Sequence, residues 1–464
     1  MFPLYEMLVA HAQKQGTSFH MPGHKAGRGL GDFSPHDLLA LDTTELHDTD
    51  NLHAPTGAIK QAQELAAKAF GARHTFFLTG GSTAGILAML AAVTKPNDRF
   101  IVDRNCHSAV INALILSRVQ PIFVYPPLVN DLVGGVTVDG VAQALRENPD
   151  VVGVFLTSPT YYGLSADIKG IADIVHQAGK ILLVDEAHGA HFAFHDDLPM
   201  TALSAGADMC VQSAHKTLPA LTQSAYLHIG SDKIDKQQVQ TMLQMFQSSS
   251  PSFLLMAYLD VARHILSTTG QQKLTYLLQR LKQLRAVLPC VDEHLLGQAG
   301  ISQMDWTRLV LDLDGLPTTG VEVAEILSKK HNIQVEMADR RYVMLITTID
   351  NTDADFDKLL HAMQALASHQ PQKKACKVSQ LPQATLLMSP SDAFHAKTRE
   401  MSMHEAVGQI AARTVSCFPP CVPVLCPGEC ITAQAVAYLQ QMQTSGSSIL
   451  GLSAQEQLVV VAPL

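Results

Sequence analysis

From residue 75 onward, short β-branched or aromatic runs alternate with longer stretches whose apolar positions recur at helical spacing. TFFL (75–78), RFIVD (99–103), PIFVY (121–125), VVGVFLT (151–157), ILLVDE (181–186), MCVQS (209–213) and SAYLHI (224–229) read as strands. Helical patterns lie between them at 82–94, 107–118, 138–147 and 167–178. Several strands are apolar on both faces, which requires cover on both sides, as in a mostly parallel sheet layered between helices. The predicted core is therefore an α/β layered domain with right-handed crossovers.

Residues 235–290 read as mainly helical. RLVLDLDG (308–315), a helix near 319–330, IQVEM (333–337), YVMLITT (342–348) and a helix near 354–367 then predict a smaller α/β unit. ASHQPQKKA (367–375) reads as a linker, followed by a helical pattern near 402–414 and the Pro- and Cys-rich segment CFPPCVPVLCPGEC (417–430). The first fifty residues are dense in Gly, Pro, His and Asp and read as an irregular arm. The predicted division is an arm (1–50), a large domain (51–270), a small α/β domain (271–370) and a C-terminal α+β unit (376–464). A length of 464 residues fits that count at ~150 residues per domain.

Composition narrows the function classes. The chain is 47% hydrophobic, enough for large cores. With 33 Lys plus Arg against 42 Asp plus Glu, the net charge of −9 argues against a nucleic-acid surface. Only 16% of residues are charged, against ~25% in ordinary domains, which points to surface buried between subunits. The start lacks the basic region, apolar run and cleavage site of an export signal. The uncharged run 75–94 is broken by Thr79-Gly80-Gly81-Ser82-Thr83, so it reads as strand, turn and helix rather than a membrane span. Eight cysteines are too few for a disulfide scaffold and read as reduced thiols, which predicts a cytoplasmic protein.

Three features carry chemistry. Lys216, in Ser213-Ala214-His215-Lys216-Thr217, follows a buried strand, so it is either a snorkelling surface residue or an amine whose desolvation favours the nucleophilic form. Asp185 ends ILLVDE and is either an exposed edge acid or the partner of a protonated heterocyclic nitrogen. Both fall at strand carboxyl ends, where open α/β sheets bind ligands. Gly80-Gly81-Ser82-Thr83 can cradle a phosphate at a helix start, although Ser is also an ordinary N-cap. It is neither a Walker A loop nor GxGxxG. Lysine, acid and cradle together specify pyridoxal phosphate (PLP).

Histidines and cysteines offer metal readings. His188, His191 and His195 are closely spaced but have no acid or thiol in a known ligand pattern, and a histidine just past Asp185 can serve the cofactor directly. His107 is either a helix-start residue or a plate stacked on the cofactor. Cys417, Cys421, Cys426 and Cys430 lack the paired CxxC knuckles of structural zinc sites and read as buried thiols. No metal is assigned.

On these residues the chain resembles a short-form member of the Orn/Lys/Arg decarboxylases, PLP enzymes of the aspartate-aminotransferase fold (fold type I). The resemblance is carried by FHMPGHKAG (19–27), LHAPTGAIKQAQELAAKAFGA (52–72), DRNCHSAV (103–110), SPTYYG (158–163), VDEAHGAHFAFH (184–195), QSAHKTLPALTQ (212–223) and the PGE segment ending at Glu429. It implies that Lys216 forms the internal aldimine, that Asp185 pairs with the pyridine nitrogen and that His107 stacks on the ring. Gly81, Ser82, Thr83, Ser213 and His215 would hold the phosphate, and His188 would lie near the ring hydroxyl and the substrate. Larger relatives carry an additional receiver-like domain before the arm, which this short form is expected to lack.

Some positions depart from the family pattern. Phe418-Pro419-Pro420-Cys421 stands where Tyr-Pro-Pro-Gly is usual, Gln409 and Arg413 differ from the usual residues, and Asn51 replaces a common acid. These changes spare the cofactor site and bear on substrate selection. The implied reaction is α-decarboxylation of a basic amino acid, arginine to agmatine favoured, then lysine to cadaverine or ornithine to putrescine, as in polyamine biosynthesis. Glu45, Asp50, Asp392 and Glu429 are the candidate partners for the substrate's distal cation. Lys216 or His188 would return the proton to Cα. A homodimer or larger homo-oligomer is implied. The rival readings are another fold-type-I reaction, such as transamination with Arg399 or Arg413 clamping the carboxylate, or a non-catalytic PLP-binding regulator.

Overall fold

The computed structural model describes the chain except residues 1–15, 26, 34–40, 47–48, 315, 317, 367–380, 419–421, 445–446 and 464, and except the side chains of 31–33 and 418. All seven strands expected between 75 and 229 form one sheet: β1 (His74–Leu78), β2 (Arg99–Asp103), β3 (Gln120–Val124), β4 (Gly153–Thr157), β5 (Ile181–Asp185), β6 (Met209–Gln212) and β7 (Ala225–Ile229). Their order is β1-β7-β6-β5-β4-β2-β3. Neighbours run parallel except β7, which is antiparallel to both β1 and β6.

The alternation along each strand explains the layers. In β2, Phe100 and Val102 join Ile86, Met89 and Leu114 of the helices Gly81–Val93 (α1) and Ser108–Ser117 (α2), whereas Ile101 faces Val141 and Ile171 on the other side. In β5, Leu183 belongs to the first layer, and Leu182 and Val184 to the second. The helices Val138–Glu147 (α3) and Ile168–Gln177 (α4) cover that second face, each begun by a side chain that caps a backbone N–H: Thr137 and Asp167. Two-sided cover is what the doubly apolar strands required. It leaves the carboxyl ends of β1, β2, β5 and β6 at one edge.

The smaller unit is a three-stranded antiparallel sheet with Tyr342–Ile346 between Arg308–Asp312 and Met337–Ala338. Its helix Gly320–His331 starts on a complete capping box, Thr319 with Glu322. The arm is less irregular than its composition predicts. Thr17–Phe19 forms a strand parallel to Ile333–Val335, anchored by the fully buried Phe19 against Phe356 at 5.9 Å between ring centroids.

The C-terminal region has its own core of Val415, Val424, Leu425, Val436 and Leu439. The helix expected near 402–414 does not form. Thr398–Met401 pairs with Leu458–Val461, turns follow, and the backbone of Ile410 and Ala411 bonds Val461 N–H and Glu429 C=O instead of its own next turn. Gly408, at φ +83°, marks the break. Apolar spacing alone could not reveal that neighbouring strands claim these backbone groups. The predicted linker 367–375 lies outside the described residues.

Candidate active site

At the shared edge, a cavity of about 480 Å³ brings together residues from four strand ends: Gly81, Ser82 and Thr83 after β1, His107 after β2, Asp185 and His188 after β5, and Ser213, His215 and Lys216 after β6. Lys216 sits in the single turn Ala214–Thr217, with its Nζ 3.0 Å from His188 Nε2. Burial lowers its pKa to about 8, with Asp185 pulling the other way and Arg308 adding to the fall.

Asp185 is buried and accepts the Ala187 N–H at 3.1 Å. Burial raises its carboxyl pKa, while the charges of Lys216 and then His107 pull it down. Glu186, the next residue, turns to the opposite face, where it accepts from Ala202 N–H and Gln212 Nε2 and is pushed by burial to about 8. The period of two along a strand separates the two adjacent acids into one that faces the cavity and one that does not.

His107 caps α2, its Nδ1 accepting the Ala109 N–H at 3.1 Å, while the ring lines the cavity. The helix-start role is thus met, and the same ring faces the cavity. The start of α1 has Gly80 as its N-cap and no capping side chain, so its first N–H groups are not claimed by a side-chain cap. Gly81 adopts φ +71°, and Ser82 Oγ accepts from Ser213 Oγ at 2.9 Å. His215 Nδ1 is 3.0 Å from Ser224 O.

The other predicted residues lie elsewhere. None of Glu45, Asp50, Asp392 or Glu429 lines this cavity. Glu45 accepts from Thr44. Asp50 accepts backbone N–H groups of Asn51, Thr56, Gly57 and Ile59, an assignment to the start of helix Ala58–Phe70. Asp392 is an exposed acid that accepts from Ser389. Glu429 is fully buried and pairs with Arg104 at 3.2 Å. Arg399 bonds Gln409, and Arg413 bonds Phe394 O and Ala412 O, so neither reaches the cavity wall. His191 contacts Asp305 and Thr307, His195 contacts Thr275, and no cluster able to hold a metal occurs among the described residues. Cys417 lines the cavity, Cys426 is buried in the core, and Cys421 is outside the described residues.

Several residues here were not singled out from sequence. Asp131 and Asp339 are the carboxylates on the cavity wall besides Asp185. Asp131 and Asn130 form a two-residue hairpin turn, both at positive φ, between Leu128–Val129 and Leu132–Val133. Asp339 accepts from Tyr162 OH at 2.7 Å. Arg308, at the head of a strand, donates to His188 Nδ1 at 3.1 Å. The arm contributes Gly23, whose N–H bonds His215 O at 2.7 Å, and the buried Lys25, whose Nζ donates to His20 O and Ile346 O. A cation leading an apolar run is the one legible trace of Arg308, and it is a weak one.

The chain matches the family models "Orn/Lys/Arg decarboxylase, major domain" over residues 2–305 and "Orn/Lys/Arg decarboxylase, C-terminal domain" over 370–460. It is 38% identical over 466 residues to an arginine decarboxylase of Bacillus subtilis, covering 97% of this chain and 95% of that one. An arginine decarboxylase of Halalkalibacterium halodurans is 36% identical, with 97% and 95% covered. Among solved structures, the E. coli constitutive lysine decarboxylase superposes with a TM-score of 0.79 at 17% identity, over 100% of this chain and 82% of that one. A ureidoglycine-glyoxylate aminotransferase of Bacillus subtilis gives a TM-score of 0.55 at 13% identity, over 74% and 92%, so the fold is shared beyond decarboxylases. By extent and identity of match, the chain belongs to the Orn/Lys/Arg decarboxylase family.

Proposed function

We propose that the protein removes the α-carboxyl group of arginine as CO2, giving agmatine, with lysine and ornithine as poorer substrates. The observation that carries this reading is the convergence of Lys216, His188, Asp185 and His107 in one cavity of a chain that aligns end to end with arginine decarboxylases. The family and fold call for PLP, and the residues fit it. Lys216 offers a partly desolvated amine, Asp185 a buried carboxylate, His107 a flat ring, and Gly81, Ser82, Thr83 and Ser213 an uncapped helix start with hydroxyls. When bound, the cofactor supplies a sink for the electron pair left as CO2 departs.

The remaining roles belong to the chain. The Asp185 carboxylate would keep the cofactor's ring nitrogen protonated. The largely apolar cavity wall leaves the departing carboxylate poorly solvated. Asp131 and Asp339 place negative charge on that wall for a distal cation, whereas the four acids expected from sequence do not line it. Lys216 Nζ returns a proton to Cα. The proposal also assigns a homodimer, supported by the low charge fraction and by exposed apolar side chains such as Leu116 and Met245. It includes a cytoplasmic, polyamine-forming role and the four-part division at residues 50, 270 and 376. No described helix is long and apolar enough to cross a membrane. Identification of the amine product with arginine, lysine and ornithine in competition, alongside measured CO2 and keto acid, tests the reaction. Agmatine and CO2 are expected, and keto acid without CO2 would overturn the reading.

A further inference from the structure

We infer that Arg308 is a positioning residue that fixes the proton of His188 on Nε2, so that His188 serves as a hydrogen-bond donor to the neutral, nucleophilic form of the Lys216 nitrogen and is not itself the acid that returns a proton to Cα. The last clause rests on the decarboxylase reading; the first stands without it.

The argument begins with what a guanidinium can do. Arg308 has only N–H donors and no acceptor. Its Nη2 lies 3.1 Å from His188 Nδ1 and 3.3 Å from His188 O. Nδ1 must therefore present a lone pair, and the single proton of the neutral ring sits on Nε2. That Nε2 is 3.0 Å from Lys216 Nζ. An ammonium there would set N–H against N–H, so the Nε2–H hydrogen bond is made to the neutral form of the amine, a minority at pH 7 and the majority above about pH 8. Burial favours that amine, lowering its pKa to about 8.

The surroundings of His188 keep the ring neutral. The ring pKa is pushed well below 6.5, first by burial, then by Lys216, Arg308, His107 and His215, each of which disfavours a second proton. Tyr161 closes a further side edge-on at 4.7 Å. A neutral imidazole that gave up its Nε2 proton would become an imidazolate, so His188 is a poor acid in this state.

Arg308 itself is fully buried, and its Nε and Nη1 find no hydrogen-bond partner among the described residues. Its ion partner, Asp305, stands 3.8 Å away and accepts from Thr307 N–H, with His191 Nε2 within 3.2 Å. One turn, Asp305 to Arg308, thus meets both histidines of the HGAH run. A cation is costly in such a place, and among the described residues the one side chain it hydrogen-bonds is His188.

The test is 15N NMR of the full-length, histidine-labelled protein with and without PLP, the His188 lines being identified by their loss in His188→Gln. A bare Nδ1 and a protonated Nε2, unchanged from about pH 6 to 9, are expected. A protonated Nδ1, or a ring that titrates in that window, would overturn the inference. Arg308→Lys keeps a donor and should hold the tautomer with activity within about tenfold. Arg308→Met should mix the tautomers, add an ionisation to the pH profile of kcat/KM and lower kcat by on the order of a hundredfold. A folded Met variant with the native tautomer and profile would refute the assignment, and if it does not fold, the native spectrum and the Lys variant decide. Absence of CO2 release from every basic amino acid, with the expected tautomer present, would refute the decarboxylase reading and leave the positioning role standing.

Discussion

If burial sets the Lys216 ammonium at about 8, the amine should be far more reactive at neutral pH than an ordinary lysine. At pH 7 about a tenth of it is neutral, against roughly 0.03% for a lysine at its ordinary value of 10.5, a gain of about 300-fold. A less basic amine is also a weaker nucleophile, and a Brønsted slope of ~0.4–0.5, carried over from thiols, takes back about tenfold. The net advantage is about 20–30-fold. The assay is a brief pulse of a small isotopic acylating reagent on the cofactor-stripped protein across pH, with the Lys216 peptide quantified by mass spectrometry. The acylation midpoint should fall near 8. Because the Asp185 charge holds the Lys216 pKa up, Asp185→Asn should move the midpoint down, not up. Lys25 supplies a contrast: its pKa is also depressed by burial, to about 7, but its Nζ is enclosed by His20 O and Ile346 O, so it should stay unmodified. A Lys216 midpoint close to 10.5 would refute the desolvated-amine argument, and an upward shift in Asp185→Asn would refute the charge coupling.

Three further perturbations probe the cavity and what docks on it. Asp131→Asn, which keeps a residue tolerant of the turn's positive φ, should lower kcat/KM for arginine by about 10- to 100-fold, the worth of a charged hydrogen bond of ~1.5–3 kcal/mol; an unchanged value would remove Asp131 from substrate recognition. Gly23→Ala would place a Cβ 2.4 Å from Leu218 O and break the arm's bond to His215 O, so PLP should dialyse away about tenfold faster, and unaltered retention would mean that this bond does not support the cofactor site. Glu429→Gln leaves the fully buried Arg104 charge without its carboxylate and should cost about 3 kcal/mol in denaturant unfolding, whereas a loss below about 1 kcal/mol would mean the carbonyls of Pro423 and Val424 suffice.

The sheet was legible because its physics is local and periodic. Seven runs of β-branched and aromatic residues fixed seven strands, and the breaks after them placed Ser82, Asp185 and Lys216 at one edge before any distance was known. The helix expected near 402–414 does not form, because apolar spacing does not say whether a backbone C=O finds its partner four residues ahead or on another strand. The four acids expected for the distal cation lie off this cavity for a related reason. Asp50, Asp392 and Glu429 are carboxylates whose partners are backbone N–H groups, a serine and an arginine, and such commitments are invisible in a residue's identity. Asp131 and Asp339 also have partners, Arg341 at 3.9 Å and Tyr162 OH, and become candidates only because they line the cavity.

The scarcity of charge reads differently once the interior is known. Low charge suggests surface hidden between subunits, yet the chain also buries charge inside itself. Arg104 and Arg308, both fully buried, each join a further part of the chain to the sheet edge. Arg104 leaves β2 three residues before His107 and reaches Pro423 O, Val424 O and Glu429 of the C-terminal core. Arg308 opens the smaller sheet and reaches His188. A buried ion pair adds little net stability compared with an apolar contact, but it tolerates few alternative geometries, since a misplaced guanidinium would lose its partners without regaining water. Apolar docking alone would let either unit slide by a few tenths of an ångström at small cost. Fastening each unit through an arginine near a cavity histidine makes such a slide expensive where a small displacement would misalign the proton on His188 or the ring of His107.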